Sequence, residues 1–174
     1  MTVDLICVLL LALGSPFAQG EGTPEEPLVA EGRVPAPIGQ VWDAFTTREG
    51  VLDWQIANAT DIELEIGATW RTSYDSESNL DDDTVIENEI LAFDPLRMLA
   101  VRTTRPPANF PFPRAILDTW TVLYLEPVGD GETLVTIRMF GFTDSEESQE
   151  MRAFFEWGNQ YEIKRLAEYF AGRP

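Results

Sequence analysis

The feature that most constrains this chain is a change of hydrophobic period. Between Thr60 and Phe142, apolar and polar residues alternate through six segments: "DIELEIG", "TWRTSY", "TVIENEILAF", "RMLAVRTT", "ILDTWTVLYLEP" and "ETLVTIRMFGF". Alternation with a period of two marks half-buried β-strands. Asp130-Gly131, inside "VGDGE", is a hairpin signal between the last two segments. No crossover helix fits between the segments, so they predict an antiparallel meander.

On either side of this region the period lengthens to that of a helix. "LVAEGRV", Leu28 to Val34, reads as a strand stopped by Pro35 and Pro37, and Pro37 suits the first position of a helix, where a missing N–H costs nothing. Val41, Trp42 and Phe45 form a helical stripe. Thr46 with Glu49 has the spacing of a capping box, opening a second short helix through Leu52 and Trp54. Thr143 with Glu146 offers another, ahead of a long helix from about Ser148 to Phe170 that stops at Gly172. The predicted order is one strand, two short helices, six strands and a long helix. This is an α+β fold in which a curved seven-stranded antiparallel sheet wraps around the C-terminal helix. One helix cannot fill the concave side of a wide sheet, and the space left over is the natural place for a pocket.

Residues 1–20 are expected to be a signal peptide. Ile6 to Leu13 is an apolar run of signal-core length, far short of the roughly 20 residues a membrane-spanning helix needs. Ala18 and Gly20 occupy the minus-three and minus-one positions of a cleavage site, although "MTVD" lacks a positive residue. Export to a periplasm or the outside follows if the segment is cleaved; otherwise the chain is cytoplasmic or membrane-anchored. Residues 21–27 read as a polar linker and residues 28–172 as one domain.

Composition removes several chemistries. There is no histidine, and the single cysteine, Cys7, lies in the expected signal, so Ser-His and Cys-His catalysis and thiolate metal sites are excluded. Twelve Lys and Arg stand against 30 Asp and Glu, a net charge of -18. Such a field repels nucleic acid and anionic membrane surfaces, and it also keeps a protein soluble. No cofactor is implied, and no stable membrane insertion of the mature chain is expected.

Several stretches together resemble a known family. "VPAPIGQVWDAFTTREGVLDW", "GATWR" at Gly67 to Arg71, "ILAFDPLRMLA" at Ile90 to Ala100 and "LEPVGDGETLVTIRMFGF" at Leu125 to Phe142 are similar to the SRPBCC superfamily, the START-like or birch-allergen-like helix-grip proteins. The branch they most resemble is the C-terminal domain of the heat-shock-protein-90 ATPase activator. The resemblance covers about residues 30 to 171, and its motifs are packing patterns. It implies a helix-grip fold and a cavity between sheet and long helix that, across the superfamily, holds lipids, sterols, polyketides or other apolar molecules. Some members are cyclases or hydrolases, and others bind partner proteins.

Residues for such a cavity come from strands and helix. On the long helix, Met151, Phe155, Ile163, Leu166, Tyr169 and Phe170 share one face, and Arg152, Asn159 and Glu162 fall within it. Asn159 is notable because it follows Gly158, where the resembling family usually has tryptophan. A polar group facing a sealed apolar core costs roughly 1–3 kcal/mol if unpaired, so Asn159 implies a partner, a solvated pocket, or a place at the helix edge. Trp120, Val122 and Tyr124 share one strand face, and Trp70, Thr72 and Tyr74 another; these rings are pocket lining or plain core. Arg71, Arg102 and Arg138 belong to the outer face, pair with Glu162, or hold a ligand carboxylate. The candidate ligand-pocket set is Trp70, Arg102, Trp120, Tyr124, Asn159 and Glu162. "DSESNLDDD", Asp75 to Asp83, lacks the glycine and glutamate of a calcium loop and reads as a solvated tip. Asn58-Ala59-Thr60 is a glycosylation sequon. "RPPANFPFPR", Arg105 to Arg114, is a stiff loop that either covers the pocket mouth or meets a partner through Phe110 and Phe112. The leading expectation is a carrier or sensor for a small hydrophobic ligand. The alternatives are an enzyme with Glu162 as general base, and a protein-interaction module or ATPase-activator-like co-chaperone.

Overall fold

The computed structural model describes residues 26–55, 57–75 and 79–172. The expected signal peptide 1–20, Cys7, most of the 21–27 linker and Glu77 of the acidic tip lie outside the described residues.

Strand β1 (Leu28–Val34) is followed by α1 (Ile38–Thr46) and α2 (Arg48–Gln55). Six strands come next: β2 (Ala59–Asp61), β3 (Thr69–Ser73), β4 (Ile86–Asp94), β5 (Met98–Arg105), β6 (Trp120–Pro127) and β7 (Thr133–Phe140). Helix α3 (Glu146–Ala171) closes the fold. The strands form one antiparallel sheet in the order β1-β7-β6-β5-β4-β3-β2, so the first strand joins the last and the rest follow as a meander.

Register decides which side chains face the helix. Thr121, Leu123 and Leu125 of β6 pair with Met139, Ile137 and Val135 of β7, placing these residues on the concave face. Ala30 and Val34 of β1, Ile90 of β4 and Leu99 of β5 join them in the main core, with Trp42, Phe45 and Trp54 from the short helices and Ile163, Leu166 and Phe170 from α3. A smaller cluster of Leu28, Ile116, Met139, Phe142 and Met151 seals the other end.

Helix α3 makes its closest sheet approach at β1. Gly32 makes this possible, because a Cβ there would lie 2.5 Å from Cγ2 of Ile163. The helix therefore hugs one edge of the sheet and stands away from β3, β4 and β5.

Several local expectations need correction. Helix α1 runs through Thr46, whose hydroxyl donates to the Trp42 carbonyl at 2.8 Å, so the cap of α2 moves to Thr47, whose Oγ1 accepts from the Gly50 N–H at 3.0 Å. Pro37 stands one position ahead of α1 and accepts the N–H groups of Gln40 and Val41. Ser145, not Thr143, caps α3, accepting from the Ser148 N–H at 3.3 Å while Ser148 Oγ accepts from the Thr143 N–H at 2.9 Å. Of "DIELEIG" only Asp61 lies in a strand. Past it the edge chain turns inward, Ile62 and Leu64 packing on the core and Gly67 supplying the positive φ of the turn. "ILDT" begins as a short 3-10 helix, Ala115–Asp118, because Ile116 anchors the smaller cluster.

Candidate functional site

The separation of α3 from the middle strands leaves a cavity of about 260 Å³. Its floor is Leu99 and Val101 of β5, Thr121 and Leu123 of β6 and Ile137 of β7. Its walls are Phe45, Trp54 and Gln55 from the short helices, Trp70 of β3 and the adjacent Tyr74. Helix α3 contributes Asn159 and Glu162, two of the three polar residues that the helical period had placed within its apolar face; the third, Arg152, is not in the lining.

Both indoles present hydrocarbon to this space, since their N–H groups are engaged elsewhere. Trp54 Nε1 donates to the Ala44 carbonyl at 2.8 Å, and Trp70 Nε1 donates to Thr60 Oγ1 at 3.1 Å. Phe45 meets Trp54 edge to face, with centroids 5.1 Å apart, which fixes both rings. The Tyr74 hydroxyl donates to Gln55 Oε1 at 3.2 Å.

The two polar residues of α3 are not compensated in this way. Among the described residues, Asn159 Nδ2 is the one buried side-chain polar atom with no hydrogen-bond partner. Glu162 has neither an ion pair nor a hydrogen bond among the described residues, and burial pushes its carboxyl above the usual carboxylate range against the weaker pull of Arg165. Half of the Tyr74 side chain is exposed, yet burial around its hydroxyl, aided by the charge of Glu162, pushes the phenol up to about 12.

Three other candidates from the sequence lie away from this cavity. Trp120 stacks on Phe140, with centroids 5.4 Å apart, and Tyr124 lines a cleft at the far end of the sheet beside Leu96 and Pro127. The reason is strand parity: Thr121, Leu123 and Leu125 occupy the concave face, so Trp120, Val122 and Tyr124 take the convex one. Arg102 is on the convex face too, paired with Glu89 at 2.6 Å. Arg71 pairs there with Asp61 at 2.5 Å, and Arg138 lies 5.9 Å from the Phe140 ring. Arg152 reaches the Glu26 carbonyl at 3.0 Å and covers Phe142.

Lining residues not singled out from the sequence are Gln55, Leu99, Val101, Thr121, Leu123 and Ile137, while Phe45 and Trp54 were read there only as apolar residues of the short helices. No local signal assigned β6 its faces. A two-residue Asp130-Gly131 turn would pair odd-numbered residues of β6 with even-numbered residues of β7, whereas the observed hairpin is centred on Asp130 and pairs odd with odd, setting Thr121, Leu123 and Leu125 beside Met139, Ile137 and Val135. The cleft at Tyr124 is larger, about 550 Å³, but among the described residues it gathers no unpaired buried group.

The proline-rich loop is fixed in place. Phe110 and Phe112 meet Phe154 of α3, with centroids 6.3 and 5.8 Å away, and Phe110 also meets Phe155. Glu147, in the first turn of α3, accepts the N–H groups of Arg114 and Ala115, bonds that hold its carboxyl below the usual range. Asn58 of the sequon donates to the Tyr74 carbonyl at 2.8 Å. No helix among the described residues is long and apolar enough to cross a membrane.

The fold recurs in solved structures. The chain matches MLL2253 from Mesorhizobium loti with a TM-score of 0.65 and 19% identity, over 85% of this chain and 98% of that one. It matches the Aha1 dimer from Colwellia psychrerythraea with a TM-score of 0.62 and 14% identity, over 83% and 95%. It matches CalU16 from Micromonospora echinospora with a TM-score of 0.59 and 21% identity, over 84% and 74%. At these identities the likeness is one of fold. No curated protein matches the chain. Residues 35–171 match the family described as Activator of Hsp90 ATPase homolog 1-like protein, which spans both short helices, the meander and α3. The chain therefore belongs to the Activator of Hsp90 ATPase homolog 1-like family, with the helix-grip architecture of the SRPBCC proteins.

Proposed function

We propose that this protein binds a small hydrophobic ligand in the cavity between the middle strands and α3. The observation that carries the reading is the coincidence, in one cavity, of aromatic walls with a partnerless Asn159 amide and an unpaired Glu162 carboxylate. A core built only for stability would place leucine at both positions, since each orphan group costs free energy. A cavity of about 260 Å³ lies just below the roughly 300–1,000 Å³ of drug-sized sites, so the ligand is a molecule of one or two rings or a short chain, smaller than a sterol.

The test is native mass spectrometry of the purified domain, followed by titration with small aromatic molecules. A retained ligand, or saturable uptake of an aromatic probe that Val101→Phe abolishes, supports the reading. Empty protein that takes up no probe at millimolar concentration overturns it. Export of the carrier remains part of the same proposal. A second reading, that Glu162 is a general base, is favoured by its raised pKa in a ligand-sized cavity. It fails if Glu162→Gln leaves turnover of an identified substrate unchanged.

A further inference from the structure

The chemical class of the ligand follows from the charge left uncompensated in the cavity, and this inference rests on the apolar-ligand reading above. Arg165 is the cation whose field reaches Glu162, but its guanidinium is committed: it donates to the Trp54 carbonyl at 2.9 Å and lies 5.9 Å from the Tyr161 ring. Among the described residues no Lys or Arg lines the cavity, and Tyr74 is the only other titratable group there. Trp54 and Trp70 have their N–H groups occupied, so they offer only ring surface. The Tyr74 hydroxyl is spent on Gln55. The lining thus combines an unpaired carboxylate with the rings of Phe45, Trp54 and Trp70. Its unpaired donor, Asn159 Nδ2, is a neutral amide that serves an uncharged acceptor but does not offset the repulsion between Glu162 and a second carboxylate.

Both elements recognise the same thing. A carboxylate attracts a cation, ring faces attract a cation, and an ammonium group gains most when both act in a partly desolvated site. A carboxylate-bearing ligand such as a fatty acid meets repulsion from Glu162 and no cation in the lining to offset it. The net charge of -18 acts over a longer range in the same direction, drawing cations toward the protein. We propose that the cavity selects a small hydrophobic amine, bound as its ammonium ion, with its nitrogen at Glu162 and its hydrocarbon part against Phe45, Trp54, Trp70, Leu123 and Ile137.

Three molecules that share one hydrocarbon part separate this inference from the reading beneath it: phenylpropylamine, phenylpropanol and phenylpropanoate. They are titrated calorimetrically into the full domain at neutral pH. The amine is expected to bind about tenfold or more tighter than the alcohol, with the acid weakest. In Glu162→Gln the amine is expected to fall to the affinity of the alcohol, while the alcohol binds as before. Equal binding of all three overturns the amine inference and leaves the hydrophobic-ligand reading standing, as does preference for the acid. Loss of alcohol binding in a folded Glu162→Gln protein also overturns it, since the residue would then act on pocket structure. Binding of none of the three at millimolar concentration overturns both.

Discussion

Replacing Asn159 by leucine should stabilise the ligand-free protein. The Asn159 Nδ2 is shut away from solvent and meets no acceptor, so folding strips the amide of water and returns nothing for it. A buried donor in that position costs about 1–3 kcal/mol, and leucine, nearly the same size, removes the donor without opening a cavity. Leucine also favours a helix more than asparagine does, by about 0.5 kcal/mol, and residue 159 lies in the middle of α3. For a domain of this size each kcal/mol moves Tm by about 2–4 °C, so the combined gain of about 1.5–3.5 kcal/mol should raise the melting temperature by roughly 3–14 °C. The assay is thermal and urea unfolding of ligand-free protein, with the urea m-value unchanged so that the difference reports on the native state. The same variant should bind its ligand more weakly if the amide turns toward it. A fall in Tm, or none at all, would refute the reasoning, because Asn159 would then have a partner in solution and no functional explanation would be needed for it.

Other expectations follow from the same geometry. Val101→Phe should place its ring in the empty space above the cavity floor, abolishing uptake of aromatic probes with little loss of stability, read by calorimetry and urea unfolding. The two perturbed glutamates on α3 act in opposite directions with pH. Glu162, raised by burial, contributes stability that is full below its unfolded pKa and fades as pH rises toward its folded one; Glu147, lowered by its hydrogen bonds to Arg114 and Ala115, contributes stability that is lost as pH falls through its folded pKa. Urea unfolding across the acid range should show Glu162→Gln gaining on the parent as pH rises past the ordinary glutamate pKa, and Glu147→Gln losing its penalty as the solution becomes more acid. Leu96 holds a φ of 64° in the turn between β4 and β5, where a side chain is strained, so Leu96→Gly should stabilise by about 1 kcal/mol in the same assay.

The architecture was legible in the sequence because its determinants are local and repetitive. Period-two alternation, two prolines after β1, an Asp-Gly hairpin and a long final amphipathic stretch each act within a few residues, and together they leave one arrangement that covers the sheet. Boundaries slipped by one or two residues where a second hydroxyl stood beside the first: Thr47 displaced Thr46, and Ser145 displaced Thr143, because the exact end of a helix depends on which hydroxyl reaches the free N–H. The edge segment after Asp61 kept its alternation without forming a strand, since Ile62 and Leu64 found the core by turning rather than by pairing.

The site divided along the same line. Asn159 and Glu162 were visible as polar interruptions of an apolar helical face, a signal that needs no knowledge of neighbours. Trp120, Tyr124 and Arg102 were not placed correctly, because β6 carries apolar residues on both faces and only its register with β7 assigns each to a side. What the sequence determined alone was the set of elements, their order and the polar marks on α3. What only the tertiary structure decided was the emptiness: α3 approaches β1 closely through Gly32 and therefore stands off β3 to β5, and a gap between elements belongs to no segment of chain.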